Sequence, residues 1–503
     1  MKNKLFSFII SIALLVSSVS FPAFLLEAEA AANKQSTTAD ANSKYYYNVK
    51  NFMSKNVSAG KAIQTALDKA LKAPSNVVTE VYIPAGKYVL DRTLMVHSNT
   101  YLHADKNAVI TNNKYRVMLT TWNSKLSKIG GYNQVKNLTI DGGIWNGNAK
   151  DNSTSIYSLV RIAHGQNITL KNAKFSDYSG YHCIIFAGIN NLTVDNVEIS
   201  GYHKYGGNLK EMKNRYNSFW SYFTLEALHI DTFAGESMSP IEANTVNKNI
   251  TVKNCTFHDV PSGVGCHTKD AVTNPVRVMQ GNNYVIENNT FYNIYSNCIN
   301  LYHYNNAYIR NNTCKSAPVF SFVVNCNNVN ISNNNVKCSK YNVFPNQKQS
   351  VDAIRIENSV VNQFTKNTIS NSVNNSVIIK AKSKVKNASY NDISNSGSNG
   401  IRVSDYAYAK LVKNVIVITN DFPILGCSTS TGSASQNYVD SSRNYTYNNR
   451  YFKITDNYDL KDLRSLGYSS IYSAISSYNK SSVSSYGRAY SLFVKMNLFA
   501  PLN

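Results

Sequence analysis

Along the middle of the chain, apolar residues alternate with polar ones in short runs bounded by asparagine. Asn167–Asn172 (NITLKN), Asn191–Asn196 (NLTVDN) and Asn249–Asn254 (NITVKN) share one pattern, and so do Asn283–Asn288, Asn306–Asn311 and Asn328–Asn333. Weaker copies end at Asn367, Asn391 and Asn414, and Asn137–Gly142 is an earlier, modified copy. A period of two marks each run as a strand with one face buried. Five of the eight intervals between closing asparagines are 22 to 24 residues, and the others are 58, 34 and 34.

A second run recurs inside each unit, with a polar residue, a small one, then apolar-x-apolar. Examples are His182–Phe186, Glu226–Ile230, Ser262–Cys266, Asn297–Leu301, Asp352–Ile356, Asn375–Ile379 and Asn399–Val403. Short strands repeating about every 23 residues between Asn, Gly and Ser predict an all-β, single-stranded parallel β-helix, each coil stacked on the last. Parallel crossovers make the winding right-handed. Apolar side chains fill the bore, and the asparagines form ladders at the turns. Ser58–Ala73 places Ile63, Leu67, Ala70 and Leu71 on one helical face, with Ser58 as N-cap, which predicts a helix plugging the N-terminal end.

The resulting organisation is a signal peptide over 1–32, a linker over 33–54, the β-helix over 55–435 and a Tyr- and Ser-rich C-terminal cap or tail over 436–503. Lys2 and Lys4, the apolar stretch Leu5–Leu26 and the small-residue site Ala28-Glu29-Ala30 carry the first assignment. No later segment is long and apolar enough to span a bilayer, so a secreted, extracellular protein without stable membrane insertion is expected. Net charge is +22, with only 29 acidic residues among 503. For an exported chain this favours an acidic polysaccharide or another anionic cell-wall polymer as partner, and not nucleic acid. Eight cysteines without a C-x-x-C pair read as small buried hydrophobes. A monomer is expected.

Val81–Leu90 followed by Ser98–Leu102 looks like the first coil of many proteins of the pectin-lyase-like superfamily of right-handed β-helices. Asp141–Asn148 resembles a segment of its polygalacturonase-type members. The resemblance covers about residues 55 to 430. It implies the fold and a set of activities that includes polysaccharide lyases, glycoside hydrolases, uronate epimerases and non-catalytic surface proteins. The polygalacturonase catalytic set is missing, Gly265-Cys266-His267-Thr268 being a partial echo of one element. The Asp-Pro-His-Glu signature of alginate epimerases is also missing. No site residue carries over from either family, and fold alone does not supply function.

The long intervals are where candidate chemistry concentrates. The 58-residue interval holds Glu226–Phe233 (EALHIDTF), which has two carboxylates and an imidazole in six residues of a chain poor in acids. Insertions around it bring Lys213, Arg215, Trp220 and Tyr222, and the next coil's insertion begins at Lys269. Such loops would wall a groove, with aromatic faces for sugars and cations for carboxylates. Aligning the second strands sets Leu228 and Ile230 inward and His229 and Asp231 outward. The same alignment puts Gly265 beside His229, His267 beside Asp231, and Asn300 and Tyr302 on the following coil. His267 is then the candidate base, oriented by Asp231, with His229 assisting and Tyr302 as acid. Arg355 is the candidate for binding a substrate carboxylate. A straight strand puts Glu226 about 17 Å from Asp231. That is too far for paired-carboxylate hydrolysis, though Glu226 can pair on the preceding coil with His182, which is itself a candidate for binding substrate. His229, Asp231 and His267 make a mixed metal-binding set without diagnostic spacing. Calcium would require more acids than the pattern places together, so no metal or other cofactor is expected.

The reading at this level is an enzyme cleaving a uronate-containing polysaccharide, leaning to β-elimination. A glycoside hydrolase, in which loops bring Glu226, Asp270 or Glu236 near Asp231, and a glycan-binding surface protein without chemistry are the alternatives.

Overall fold

The computed structural model describes residues 45–113, 117–121, 131–149, 158–203, 223–232, 245–266, 281–339, 351–439, 451–455 and 458–459. All 37 of its strands join one continuous ladder, and every pairing between these strands is parallel. The fold is the right-handed parallel β-helix that the repeat and the resemblance imply.

Period-two patterning sets the bore. One inward column runs Val160, Ile184, Leu228, Val264, Ile299, Ser321, Ile354, Val377, Ile401 and Ile424, each in register with the next. All ten are buried, so one side chain per coil excludes water along the axis. The neighbouring outward column runs Arg161, Ile185, His229, Gly265, Asn300, Phe322, Arg355, Ile378, Arg402 and Leu425. Seven cysteines are buried and Cys427 is half-buried, all as free thiols.

Asparagine acts in two ways at the turns. At Asn172, Asn196, Asn254, Asn288, Asn311 and Asn333 the backbone is left-handed, with φ between 54° and 56°. Asparagine tolerates this region better than other residues with a side chain beyond glycine. Immediately after it, Asn289, Asn312, Asn334, Asn367, Asn391, Asn414 and Asn437 form a buried ladder. Each Nδ2 donates to the next residue's Oδ1 at 2.8 to 3.0 Å. The weaker repeat copies therefore close one residue out of step. Asn367, Asn391 and Asn414 belong to the inner ladder, while Lys366, Tyr390 and Lys413 take the left-handed position before them.

A charge ladder lies on a different face. His103, Asp141, Lys171, Asp195, Lys253, Glu287 and Arg310 stack in register over successive coils. From Asp141 onward the sign alternates at every step. Ion pairs join Lys171 to Asp141 (3.3 Å), Lys253 to Asp195 (3.6 Å) and Arg310 to Glu287 (2.7 Å). Beyond Arg310 the column becomes Ser332, Thr365 and Ser389.

The ends differ from the sequence expectation in three respects. The capping helix is Ala59–Leu67, capped by Ser58, whose hydroxyl accepts from the Lys61 amide. It buries Ala62, Ile63, Ala66 and Leu67, but it stops before Leu71, which is 65% exposed. Asp68 and the short turn Ala70–Lys72 end it ahead of Pro74. Within the expected linker, Tyr46–Asn48 is already a strand paired with Thr79–Ile83. Within the expected C-terminal cap, Tyr438–Val439, Phe452–Thr455 and Tyr458–Asp459 continue the ladder. The signal peptide falls outside the described residues.

Candidate active site

The strand Glu226–Asp231 lies between Ile184–Asp195 on one coil and Ser262–Gly265 on the next. Its register carries His229 beside Gly265, and Gly265 beside Asn300. His229 and Asp231 occupy the outward face as the alternation requires, yet His229 is buried.

Glu226 does not follow the alternation. It starts the strand directly after the turn at Phe223–Thr224, and from this corner its carboxyl group reaches across to the outward face. Its Oε2 lies 3.3 Å from His229 Nδ1, and Asp231 Oδ2 lies 3.3 Å from His229 Nε2. One imidazole thus bridges two carboxylates, which sets them within about 9 Å, inside the range used by paired carboxylates on glycosides. The straight-strand separation of Glu226 and Asp231 is corrected accordingly. It followed the backbone, whereas a corner residue directs its side chain independently.

Behind this bridge the support is polar and fully buried. Asn300 Nδ2 donates to Glu226 Oε1 at 2.7 Å and to the Phe223 carbonyl at 2.9 Å. Asn297 Nδ2 donates to Asn300 Oδ1 at 2.7 Å, and Ser262 Oγ donates to Asn297 Oδ1 at 2.9 Å. The His182 ring stacks on that of His229, with 3.9 Å between centroids. His182 Nδ1 is 2.9 Å from the Glu226 carbonyl oxygen and 3.6 Å from its Oε2. Glu226 is 0% exposed, whereas the Asp231 side chain is 18% exposed, so Asp231 is the member of the relay most open to solvent.

The electrostatics follow from this packing. Burial pulls the His229 imidazole toward neutrality, but the carboxylates of Asp231 and Glu226 beside its two nitrogens outweigh it and push its pKa up to about 9. His303, at a left-handed position (φ 56°) just past the strand Asn297–Tyr302, is tuned the other way. Burial holds it below the usual imidazole range against the opposing charge of Asp231. Its Nε2 lies 3.3 Å from Asn325 Nδ2. Burial also raises the Tyr302 phenol well above its normal range, with Arg355 opposing.

Several sequence expectations change. His182, expected as a substrate-binding residue, is as buried as His229, and its ring is stacked on that of His229 from the preceding coil. Arg355 is already engaged by Glu357, its Nε donating to Oε2 at 2.7 Å, and its guanidinium lies 5.8 Å from the Phe322 ring centroid. Tyr302 is buried, with Phe223 edge-on at 6.2 Å. A Cβ at Gly265 would fall 1.9 Å from the Asn300 carbonyl oxygen, so the glycine allows two coils to approach. His267, Lys213, Arg215, Trp220, Tyr222, Lys269, Glu236 and Asp270 lie outside the described residues.

Sequence reasoning gave no role to Asn300, Asn297, Ser262 or His303. Three of them were legible as polar residues at strand starts or at the His229 register position. His303 had no signal beyond following Tyr302.

His182, Glu226 and His229 bring ligand-capable atoms within 4.8 Å of one another. The two rings are 11° from parallel and stacked face to face. Their in-plane lone pairs run side by side without converging, so a shared metal ion would require one ring to leave the stack.

No family model matches the sequence, and no curated protein does. Among solved structures, the chain is similar to PfbA, a surface adhesin of Streptococcus pneumoniae, at 16% identity and TM-score 0.48 over 82% of this chain and 93% of that one. It is also similar to the Yersinia enterocolitica family 28 exopolygalacturonase, at 13% identity and TM-score 0.47 over 82% and 78% of the two chains. The A-module of the Azotobacter vinelandii mannuronan C-5 epimerase AlgE6 matches at 13% identity and TM-score 0.44, over 82% and 99%. These likenesses do not bear on the chemistry of this chain.

Proposed function

We propose that this is an exported carbohydrate-active enzyme that acts on a uronate-containing polysaccharide, with Asp231 at the reacting end of the relay Glu226–His229–Asp231. The observation that carries the reading is the single imidazole held at 3.3 Å from each of two carboxylates. Such an arrangement fixes the ring and its proton beside a carboxylate that reaches the surface.

Two imidazoles tuned in opposite directions, both acted on by the charge of Asp231, supply an acid and a base near neutral pH. A β-elimination needs that pair. The base removes the proton on the carbon next to the uronate carboxyl group, the C–O bond to the neighbouring sugar breaks, and the departing oxygen takes up a proton. His303 suits the first task, and the second falls to Asp231, the exposed end of the relay, which passes on a proton from His229 Nε2. His267 is the further candidate base, from its place in the sequence repeat. Paired-carboxylate hydrolysis is less well served, because Glu226 is sealed from solvent and already bonded to Asn300. The net charge of +22 suits a polyanionic substrate.

The test is a screen of acidic polysaccharides followed both by ultraviolet absorbance of unsaturated ends and by reducing ends. Absorbance that vanishes in Asp231→Asn and His303→Gln but persists in Lys87→Gln supports the reading. Reducing ends without absorbance would establish hydrolysis instead. Binding without either product would favour the second reading, a glycan-binding surface, for which the near-complete burial of His182, Glu226 and His229 speaks.

A further inference from the structure

The charge on one sheet of the helix changes character halfway along. Over its N-terminal coils this sheet carries the alternating ladder, in which Asp141, Asp195 and Glu287 answer Lys171, Lys253 and Arg310. Its C-terminal coils are the strands Val360–Thr365, Lys384–Ser389, Tyr408–Val412, Thr431–Ser435 and Phe452–Thr455, and they contain no acidic residue. They carry Lys384, Lys386, Lys410 and Lys453, all exposed. Lys410 and Lys453 flank Ser433 in register, and Lys384 is in register with Tyr408, its ammonium 5.7 Å from that ring. Exposed Lys366 and half-exposed Lys413 continue the basic surface at the following corner.

Coils stack about 4.8 Å apart, so Lys410 and Lys453 stand on one column two coils apart, with Lys384 and Lys386 on the coil before Lys410, and together they form a patch of like charge. Like charges on neighbouring strands oppose folding slightly. The ladder on the same sheet removes that cost with acids, and the C-terminal coils do not. A surface that leaves the cost in place is suited to an external polyanion that neutralises it. The cations here are all lysines. Planar carboxylates are matched best by the forked guanidinium of arginine, whereas lysine is a point charge suited to phosphate oxygens. The arginines Arg310, Arg355 and Arg402 lie on other columns.

We propose that this lysine face is a docking surface for a linear phosphodiester polymer of the cell envelope, separate from the Asp231 relay and independent of any chemistry there. It would hold the exported protein at the wall by charge while the outward face of the other sheet stays free.

The experiment measures binding of the full chain to immobilised poly(glycerol phosphate), to polygalacturonate and to neutral dextran across a salt series. Wild type is expected to bind poly(glycerol phosphate) most tightly and to release it as salt rises. The variant Lys384→Gln/Lys386→Gln/Lys410→Gln/Lys453→Gln is expected to lose about tenfold or more in affinity with an unchanged melting temperature. Lys410→Gln/Lys453→Gln should lose part of that, which keeps the test informative should the fourfold variant misfold. Lys87→Gln/Lys106→Gln, at the other end, should lose nothing. Equal binding by wild type and the fourfold variant overturns the proposal, as does equal loss in the Lys87/Lys106 control. Tighter binding to polygalacturonate also overturns it and makes the face a uronate site.

Discussion

The imidazole rings of His182 and His229 lie face to face, 11° from parallel and 3.9 Å apart, one on each of two successive coils. Two imidazoliums at that distance would repel strongly, so the stack accommodates one positive charge. The carboxylates of Glu226 and Asp231 flank His229 on both nitrogens and fix the charge there. His182 then contributes a flat apolar face and an Nδ1–H donated to the Glu226 carbonyl oxygen.

This arrangement predicts how stability depends on pH. The pKa of His229 is raised in the folded state to about 9, above the value of about 6.5 for an unfolded histidine. Its stabilising contribution is therefore complete below pH about 6.5 and is lost as pH rises through about 9. Melting temperatures recorded from pH 6 to 10 should fall across that window in the wild type. His229→Gln should lower the melting temperature at pH 6 and flatten the fall. An equally steep fall in the variant would show that His229 is not the group responsible.

Glu226 makes a second test. Removing it by Glu226→Ala leaves Asn300 Nδ2 without its short acceptor and the buried His229 charge with one carboxylate instead of two. Breaking one side of a buried charged pair costs about 3–5 kcal/mol. Glu226→Gln keeps the shape and an acceptor for Asn300, so denaturant titration should show a clearly smaller loss. It should also bring the His229 titration, followed by NMR of the ring protons, down from about 9.

How much of this was legible depends on which atoms a pattern controls. Period-two alternation and the 23-residue repeat govern backbone register, and they set His229 beside Gly265 and Gly265 beside Asn300 as the structure has them. The same pattern says nothing about a residue at a corner. Glu226 holds the register position of an inward residue, yet its carboxyl group meets the outward His229. Alternation also cannot tell an outward residue that is solvated from one that is covered, so His182, His229 and Tyr302 read as groove residues and are buried. The one-residue displacement at Asn367, Asn391 and Asn414 has a similar origin. The left-handed turn position and the inner-ladder position are adjacent, and asparagine fits both.

Gly265 should tolerate no side chain. Its φ of 147° lies where side chains are rarely found, and a Cβ would meet the backbone of Asn300 at 1.9 Å. Gly265→Ala must push apart the coils that carry His229 and Asn300, and with them the contact between Asn300 and Glu226. The expected result is a loss of stability above about 2 kcal/mol, together with loss of the raised His229 titration. Retention of both would mean that the approach of these coils is looser than described.

The charge ladder should respond to the order of its signs more than to their number. Asp195 sits in register between Lys171 and Lys253. Exposed pairs contribute little singly, about 0–1 kcal/mol, but Asp195→Lys puts three cations on consecutive coils about 4.8 Å apart. The variant should lose about 1–2 kcal/mol at low salt and recover much of it at high salt, as screening requires. Adding Lys171→Asp and Lys253→Asp restores alternation locally but sets the two new carboxylates against Asp141 and Glu287, so it should recover only part of the loss. A salt-independent loss in the single variant would point to packing and not to charge.

The buried asparagine ladder should be the feature least tolerant of change. Asn391 Nδ2 donates to Asn414 Oδ1 at 2.8 Å and to the Phe364 carbonyl at 2.8 Å, while its Oδ1 accepts from the backbone N–H and Nδ2 of Asn367 at 3.0 and 2.9 Å. Asn391→Ala removes all four bonds at a site without solvent and leaves two donors of Asn367 unanswered. Each buried group left without a partner costs about 1–3 kcal/mol, so a loss of about 2–4 kcal/mol is expected once the site relaxes. Asn391→Asp keeps the acceptor side and loses both donations, burying a charge unless it protonates, so its stability should improve as pH is lowered toward about 4. Because each rung polarises the next, hydrogen exchange should speed up at Asn367 and Asn414 before it does at distant coils. Uniform acceleration along the whole helix would instead mean that the coils unfold as one unit and that the ladder adds no local stiffness.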